Sequence, residues 1–138
     1  MIGNIPLPTD RASFDSAIST ILSEHATLRG LAAAASNENS FSTDDVMSLV
    51  DAVGAHEGAE ARLFGLPFLT RTPESVISTG ARTHQLCLDY TSENARHPGA
   101  SAAAAALFAD ALLTHLTAEE AWLAHEKELH HERLLRSI

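Results

Sequence analysis

Six ionisable residues stand inside apolar stripes of helical period, and this restricts the chain to folds that can neutralise them in the interior. Phe14, Ile18 and Ile21 lead in one stripe to His25. Val46, Leu49 and Val53 lead to His56 and Glu60, then Leu63. Ile77 and Gly80 lead to His84 and Cys87, and Phe108 and Leu112 lead to His115 and Glu119, then Trp122. Residues three or four apart share one face of a helix, so each polar group is expected where core residues belong. Burying that many polar groups is costly unless something satisfies them, and a metal ion does so. The pattern also repeats. His84, His115 and Glu119 each follow His25, His56 and Glu60 by 59 residues, so two helical hairpins carry the same histidine followed by His-x-x-x-Glu.

The local signals place four helices at about 10–35, 43–64, 73–96 and 101–136. Ser42 with Asp45 resembles a capping box, and Asp44 and Asp45 suit a helix N-terminus. Thr72-Pro73-Glu74 reads as an N-cap, a proline at the first helical position and an acid. Gly65-Leu66-Pro67 and His97-Pro98-Gly99 end the helices before them. The alanine tracts 31–35 and 102–106 read as close-packed helix. Aromatic residues are 5% and strict alternation is absent, so strands are not expected. Long helices with short connections imply an all-α, antiparallel up-down-up-down four-helix bundle, read as a single domain over 1–138. His25 lies about 10 residues before the end of its helix and His56 about 13 after the start of the next. His84 and His115 have similar offsets, so at about 1.5 Å per residue all four histidines are expected in one layer.

A formal net charge of -9 argues against nucleic-acid and anionic-membrane partners, which need a basic footprint. One cysteine, Cys87, excludes a disulfide within the chain, and no leader or membrane-spanning stretch is visible. The cytoplasm is the expected location. No catalytic triad order, phosphate-binding glycine loop or Cys-x-x-Cys points to another chemistry.

Four imidazoles and two carboxylates are too many for one tetrahedral zinc. They suit two ions bridged by the glutamates, with imidazoles as terminal ligands, and mixed nitrogen and oxygen ligation suits iron, with manganese or zinc as substitutes. Ferritin-like bundles use Glu-x-x-His, the reverse order at a shorter spacing. Taken together, His25, the segment from His56 to Phe64, His84, and the segment from His115 to Leu123 resemble the hemerythrin-like, or HHE cation-binding, domain family. The resemblance covers nearly the whole chain. It implies a hemerythrin-like bundle around an oxo- or hydroxo-bridged di-iron centre of the Fe–O–Fe type. It further implies Glu60 and Glu119 as bridges and His25, His56, His84 and His115 as terminal ligands.

The chain departs from the oxygen carriers of that family, which have a second histidine one turn from the first on helix three. Here those positions are Gly80 and Leu88, and neither can coordinate. Glu57, three residues from Glu60, is a candidate replacement; Glu120 is the poorer one. Gly80 is expected to leave space through which water or peroxide could enter. The metal candidates are therefore His25, His56, Glu57, Glu60, His84, His115 and Glu119. The function expected is binding or sensing of O2, nitric oxide, redox state or iron through a small diatomic or peroxide ligand. An enzyme reducing peroxide or nitric oxide and a metal-free structural bundle are the alternatives. Cys87 and Trp122 read as core, His125, His130 and His131 as a solvated face, and His97 as a turn residue without partners.

Overall fold

The computed structural model describes residues 2–36, 42–64, 72–96 and 102–136, apart from the side chains of Arg11 and of 130–136. Four helices run in order: α1 (Arg11–Ala35), α2 (Thr43–Phe64), α3 (Glu74–Arg96) and α4 (Ala102–Arg136). Asp10 caps α1. Its carboxylate accepts from the Ser13 N–H at 2.8 Å, and the Asp10 N–H donates to Ser13 Oγ at 3.1 Å, closing a reciprocal box. Ser42 Oγ accepts from the Asp45 N–H at the start of α2. The expected N1 proline is displaced by one position. The Pro73 carbonyl accepts the first helical bond, from Ile77, and α3 begins at Glu74, so Pro73 serves as the cap. The turns expected at 65–67 and 97–99 lie outside the described residues.

Two apolar clusters fix the topology. One joins the end of α1 (Leu28, Ala32, Ala35), the start of α2 (Val46, Leu49, Val53), Tyr90 of α3 and the start of α4 (Ala105, Phe108, Leu112). The other joins the start of α1 (Phe14, Ile18, Ile21), the end of α2 (Ala59, Leu63), Val76 of α3 and the later part of α4 (Trp122, Leu123). Ends meet starts throughout, which is the up-down-up-down arrangement. Ala32, Ala35, Ala105 and Ala109 are almost fully buried, so the alanine tracts let helix backbones approach closely. Ile5, ahead of α1, is buried against the second cluster.

The two clusters leave a layer between them, and the buried ionisable groups fill it. His25 falls between Ile21 and Leu28, His56 and Glu60 between Val53 and Leu63, and His115 and Glu119 between Leu112 and Trp122. The packing around this layer is uneven. α1 packs on α2 and α4, and α3 on α4, while α2 and α3 touch only lightly. No described helix is long and apolar enough to cross a membrane.

Candidate metal centre

His25, His56, Glu60 and Glu119 converge on one point, and Glu57, His115 and Glu119 on a second, with Glu119 common to both. All but Glu57 are buried to within 3% of full burial. His25 Nε2 lies 3.1 Å from His56 Nε2, 3.2 Å from Glu60 Oε1 and 3.8 Å from Glu119 Oε2. His56 Nε2 contacts Glu60, and His115 Nε2 contacts Glu119 and lies 3.3 Å from Glu57 Oε1. Two donors on one ion at about 2.1 Å stand about 3.0 Å apart in octahedral and about 3.4 Å apart in tetrahedral geometry. The 3.1 and 3.2 Å spacings of His25 to His56 and Glu60, and the 3.3 Å spacing of His115 to Glu57, are of that size.

The far side of each ring explains why Nε2 faces inward. His25 Nδ1 is 2.8 Å from Glu120 Oε2, and Arg29 grips that carboxylate with Nη1 at 2.6 Å and Nη2 at 3.1 Å. His56 Nδ1 is 2.7 Å from Glu24 Oε1, whose other oxygen accepts from the Gly3 N–H at 3.1 Å. His115 Nδ1 is 2.9 Å from Thr79 Oγ1, and that hydroxyl spends its single proton on the Ser75 carbonyl at 2.6 Å. A carboxylate can only accept, and the Thr79 oxygen has no second proton to give. Each Nδ1 must therefore carry the hydrogen, which leaves the Nε2 lone pair aimed into the layer. Such outer partners fix the tautomer and the orientation of a ligating imidazole.

Those lone pairs meet carboxylate oxygens, and something positive must come between them. Glu60 Oε2 and both Glu119 oxygens are buried and make no hydrogen bond of regular geometry, although Glu119 abuts the His115 imidazole. Burial, then the neighbouring carboxylates of Glu119, Glu57 and Glu24, push the Glu60 carboxyl up to about 12. Burial alone would depress His115, but hydrogen bonds to Glu119 and Glu57 outweigh it and carry the imidazole up to about 9. Burial lowers His25. Glu119 is desolvated, yet the close approach of the His115 imidazole and the Glu60 carboxyl holds it below the usual carboxylate range. Without a cation, Glu60 and His115 both favour their protonated forms, which lessens the repulsion among the buried carboxylates. The residues present fit a pair of metal ions sharing Glu119.

No family model matches this chain, and no match is found among curated proteins or solved structures. Fold and chemistry rest on the molecule's own geometry.

Of the seven residues singled out from sequence, six come together and His84 stands apart. α3 buries Val76, Thr83 and Tyr90, a series one residue out of phase with the expected Ile77, Gly80, His84 and Cys87. Ile77 is 47% exposed, and His84 is exposed. Glu57 is near the second point with a side chain 43% exposed. Gly80 lines the cleft between α2 and α3, the open side expected there. A Cβ at this position would lie 3.0 Å from His115 Cε1, so the glycine also makes room for the His115 ring. Three groups escaped the sequence reading as partners: Glu24, Thr79 and the Arg29–Glu120 pair. Each reaches across to a neighbouring helix, so none shows a spacing motif. The only available signal was the requirement that every inward imidazole have a partner behind it.

The remaining residues behave more simply. Cys87 is half-buried, with its thiol pushed up by burial, and Trp122 packs edge-on against Phe64 at 4.7 Å. His125 is exposed. His97, and the side chains of His130 and His131, lie outside the described residues.

The loose α2–α3 seam holds a cleft of about 600 Å³. Its walls include Val50, Val53, Phe64, Val76 and Ile77, and Glu57, Glu60, His84, His115 and Glu119 also line it. The three-donor point thus opens on the cleft, while His25 and His56 line no part of it.

Proposed function

We propose that this chain is a hemerythrin-like di-iron protein that binds or senses a small ligand: O2, nitric oxide, peroxide or iron itself. The observation that carries the reading is the pair of donor sets sharing Glu119, with buried carboxylate oxygens left without hydrogen bonds of regular geometry. The four-donor set (His25, His56, Glu60, Glu119) would hold one ion, and the three-donor set (Glu57, His115, Glu119) a second. His84 lines the same cleft but stands outside both donor sets. Glu119 would be the bridge, and the free Glu60 Oε2 gives that residue a second bridging arm. Iron is favoured by the mixed imidazole and carboxylate donors, with manganese or zinc as substitutes. When bound, the pair of ions would supply redox and Lewis-acid chemistry. The chain's part is to fix three imidazoles and to exclude water from the closed position.

One observation favours a second reading. A position short of protein donors that faces a cleft has room for a substrate, as an enzyme reducing peroxide or nitric oxide requires. Turnover of either compound would separate enzyme from sensor. The test of the common premise is substitution: Glu119→Ala should remove at least one ion, whereas His125→Ala should remove none. Full metal retention by Glu119→Ala would refute the shared bridge.

A further inference from the structure

We propose that the α2–α3 cleft is a binding site for a monocarboxylate with an apolar tail, its head seated at the three-donor metal position. This rests on the two-metal reading and adds the class of ligand. Three observations lead to it. The two donor sets differ in access: the four-donor set draws on both histidines hidden from the cleft, while every member of Glu57, His115 and Glu119 lines it. The position that is short of donors is therefore the one that can take a ligand from outside.

The second observation is size and lining. A cleft of about 600 Å³ falls in the range of pockets that hold organic ligands and is far larger than a diatomic needs. Val50, Val53, Phe64, Val76 and Ile77 give it an apolar wall, and its buried ionisable groups, Glu60, His115 and Glu119, belong to the two donor sets. Ile77 remains 47% exposed on a helix whose neighbour across the seam barely touches it. Such a wall favours a hydrocarbon tail that runs away from a single polar end.

The third observation is charge. Two dipositive ions balance the four carboxylates of Glu24, Glu57, Glu60 and Glu119, and Arg29 neutralises Glu120 behind His25. The loaded centre therefore does not repel an anion, and a carboxylate offers the ion an oxygen lone pair that an ammonium head lacks. The binding step is exchange of solvent for a carboxylate oxygen, with no bond made or broken in the ligand.

The test uses the full chain loaded with cobalt(II), whose visible bands report changes in coordination. Acetate, hexanoate and octanoate are titrated in turn, with metal uptake measured first. Each methylene transferred from water into the cleft should tighten binding about three- to fourfold, so the six extra methylenes of octanoate should make it bind roughly a thousand-fold tighter than acetate. Ile77→Gln changes an exposed wall residue outside the donor sets. It should flatten the dependence on chain length and leave acetate binding unchanged. Equal affinities for acetate and octanoate on a cobalt-loaded protein would overturn the proposal while leaving the two-metal reading intact. So would octanoate binding equally well to metal-free protein, or a concentration-dependent dimer that covers the cleft and blocks octanoate. If the chain takes up no cobalt, the two-metal reading fails and this proposal falls with it.

Discussion

Gly80→Ala is the smallest change that should separate the two metal positions. The added methyl would sit 3.0 Å from His115 Cε1 and 3.5 Å from each ring nitrogen. Ordinary contact begins near 3.4 Å, so the ring must retreat by a few tenths of an ångström. It is tethered at both ends, by Thr79 on Nδ1 at 2.9 Å and by Glu119 on Nε2, so any retreat lengthens one of those contacts. Without metal the change should nearly cancel. Alanine in place of a helical glycine gains roughly 0.5–1 kcal/mol, against a crowding cost of similar size. With metal the balance differs, because disturbing the partner behind a ligating histidine typically costs 10–100-fold in affinity, or about 1.4–2.7 kcal/mol. We expect the three-donor position to weaken by that factor while the four-donor position keeps its affinity. Competition of cobalt-loaded protein against a chromophoric chelator resolves the two affinities, and thermal melts of metal-free protein followed by circular dichroism supply the stability. Two unchanged affinities would show that the His115 ring does not set the second position. A large loss of metal-free stability would show that the methyl is felt by the fold rather than by the site.

Further expectations follow from the same geometry. Glu120→Gln leaves Arg29 and His25 without their shared carboxylate, so the four-donor position should weaken about 10–100-fold with the other unaffected, as read by the same competition. Metal loading at pH 7 should release about two protons per chain, from Glu60 and His115, seen as a dependence of the calorimetric heat on buffer ionisation enthalpy; no release would mean that the ions bind elsewhere. The metal-free protein should lose stability between pH 6.5 and about 9. The His115 contribution is fully present below the unfolded value of 6.5 and disappears as pH rises through the folded value, and Glu60, raised above its own unfolded value, works in the same direction. Glu119, whose carboxyl is lowered, contributes the reverse: stability present above 4.5 that is lost on acidification. Melting temperatures that rise across pH 6.5–9 would contradict this. Finally, the anionic Glu57 stands at the second position where a neutral imidazole would favour the ferrous state, so the diferrous protein should oxidise quickly in air without a long-lived oxygen adduct. Stopped-flow mixing with oxygenated buffer checks it.

Much of this was legible in the sequence, and the failure at α3 shows why the rest was not. The start of α2 was readable because Ser42 acts locally through its own backbone neighbours, and the Thr72-Pro73-Glu74 signal placed the start of α3 to within one residue, whereas the Asp10 cap was not read. The inward faces of α1, α2 and α4 were readable because Ile21 with Leu28, Leu49 with Val53, and Phe108 with Leu112 leave no other apolar stripe of comparable strength. α3 offers two such series one residue apart, Val76-Thr83-Tyr90 and Ile77-His84, and periodicity does not choose between them. Tertiary contact chooses: Thr79 must reach His115, and Gly80 must pass its ring. The outer partners were hidden for a related reason. Glu24 precedes His25 in sequence but serves His56 on α2, and Glu120 follows Glu119 but serves His25 on α1. A side chain that works on the next helix leaves no periodic trace on its own.

The central claim is that this layer is built for two ions that share Glu119, and counting metal tests it most directly. The protein should be purified after growth in iron-rich medium, then measured for iron, manganese and zinc per chain alongside its near-ultraviolet and visible spectrum. Two ions per chain, mainly iron, with oxo-bridged ferric absorption in the near-ultraviolet, is the predicted result. No more than one ion per chain under iron-replete conditions would contradict the account.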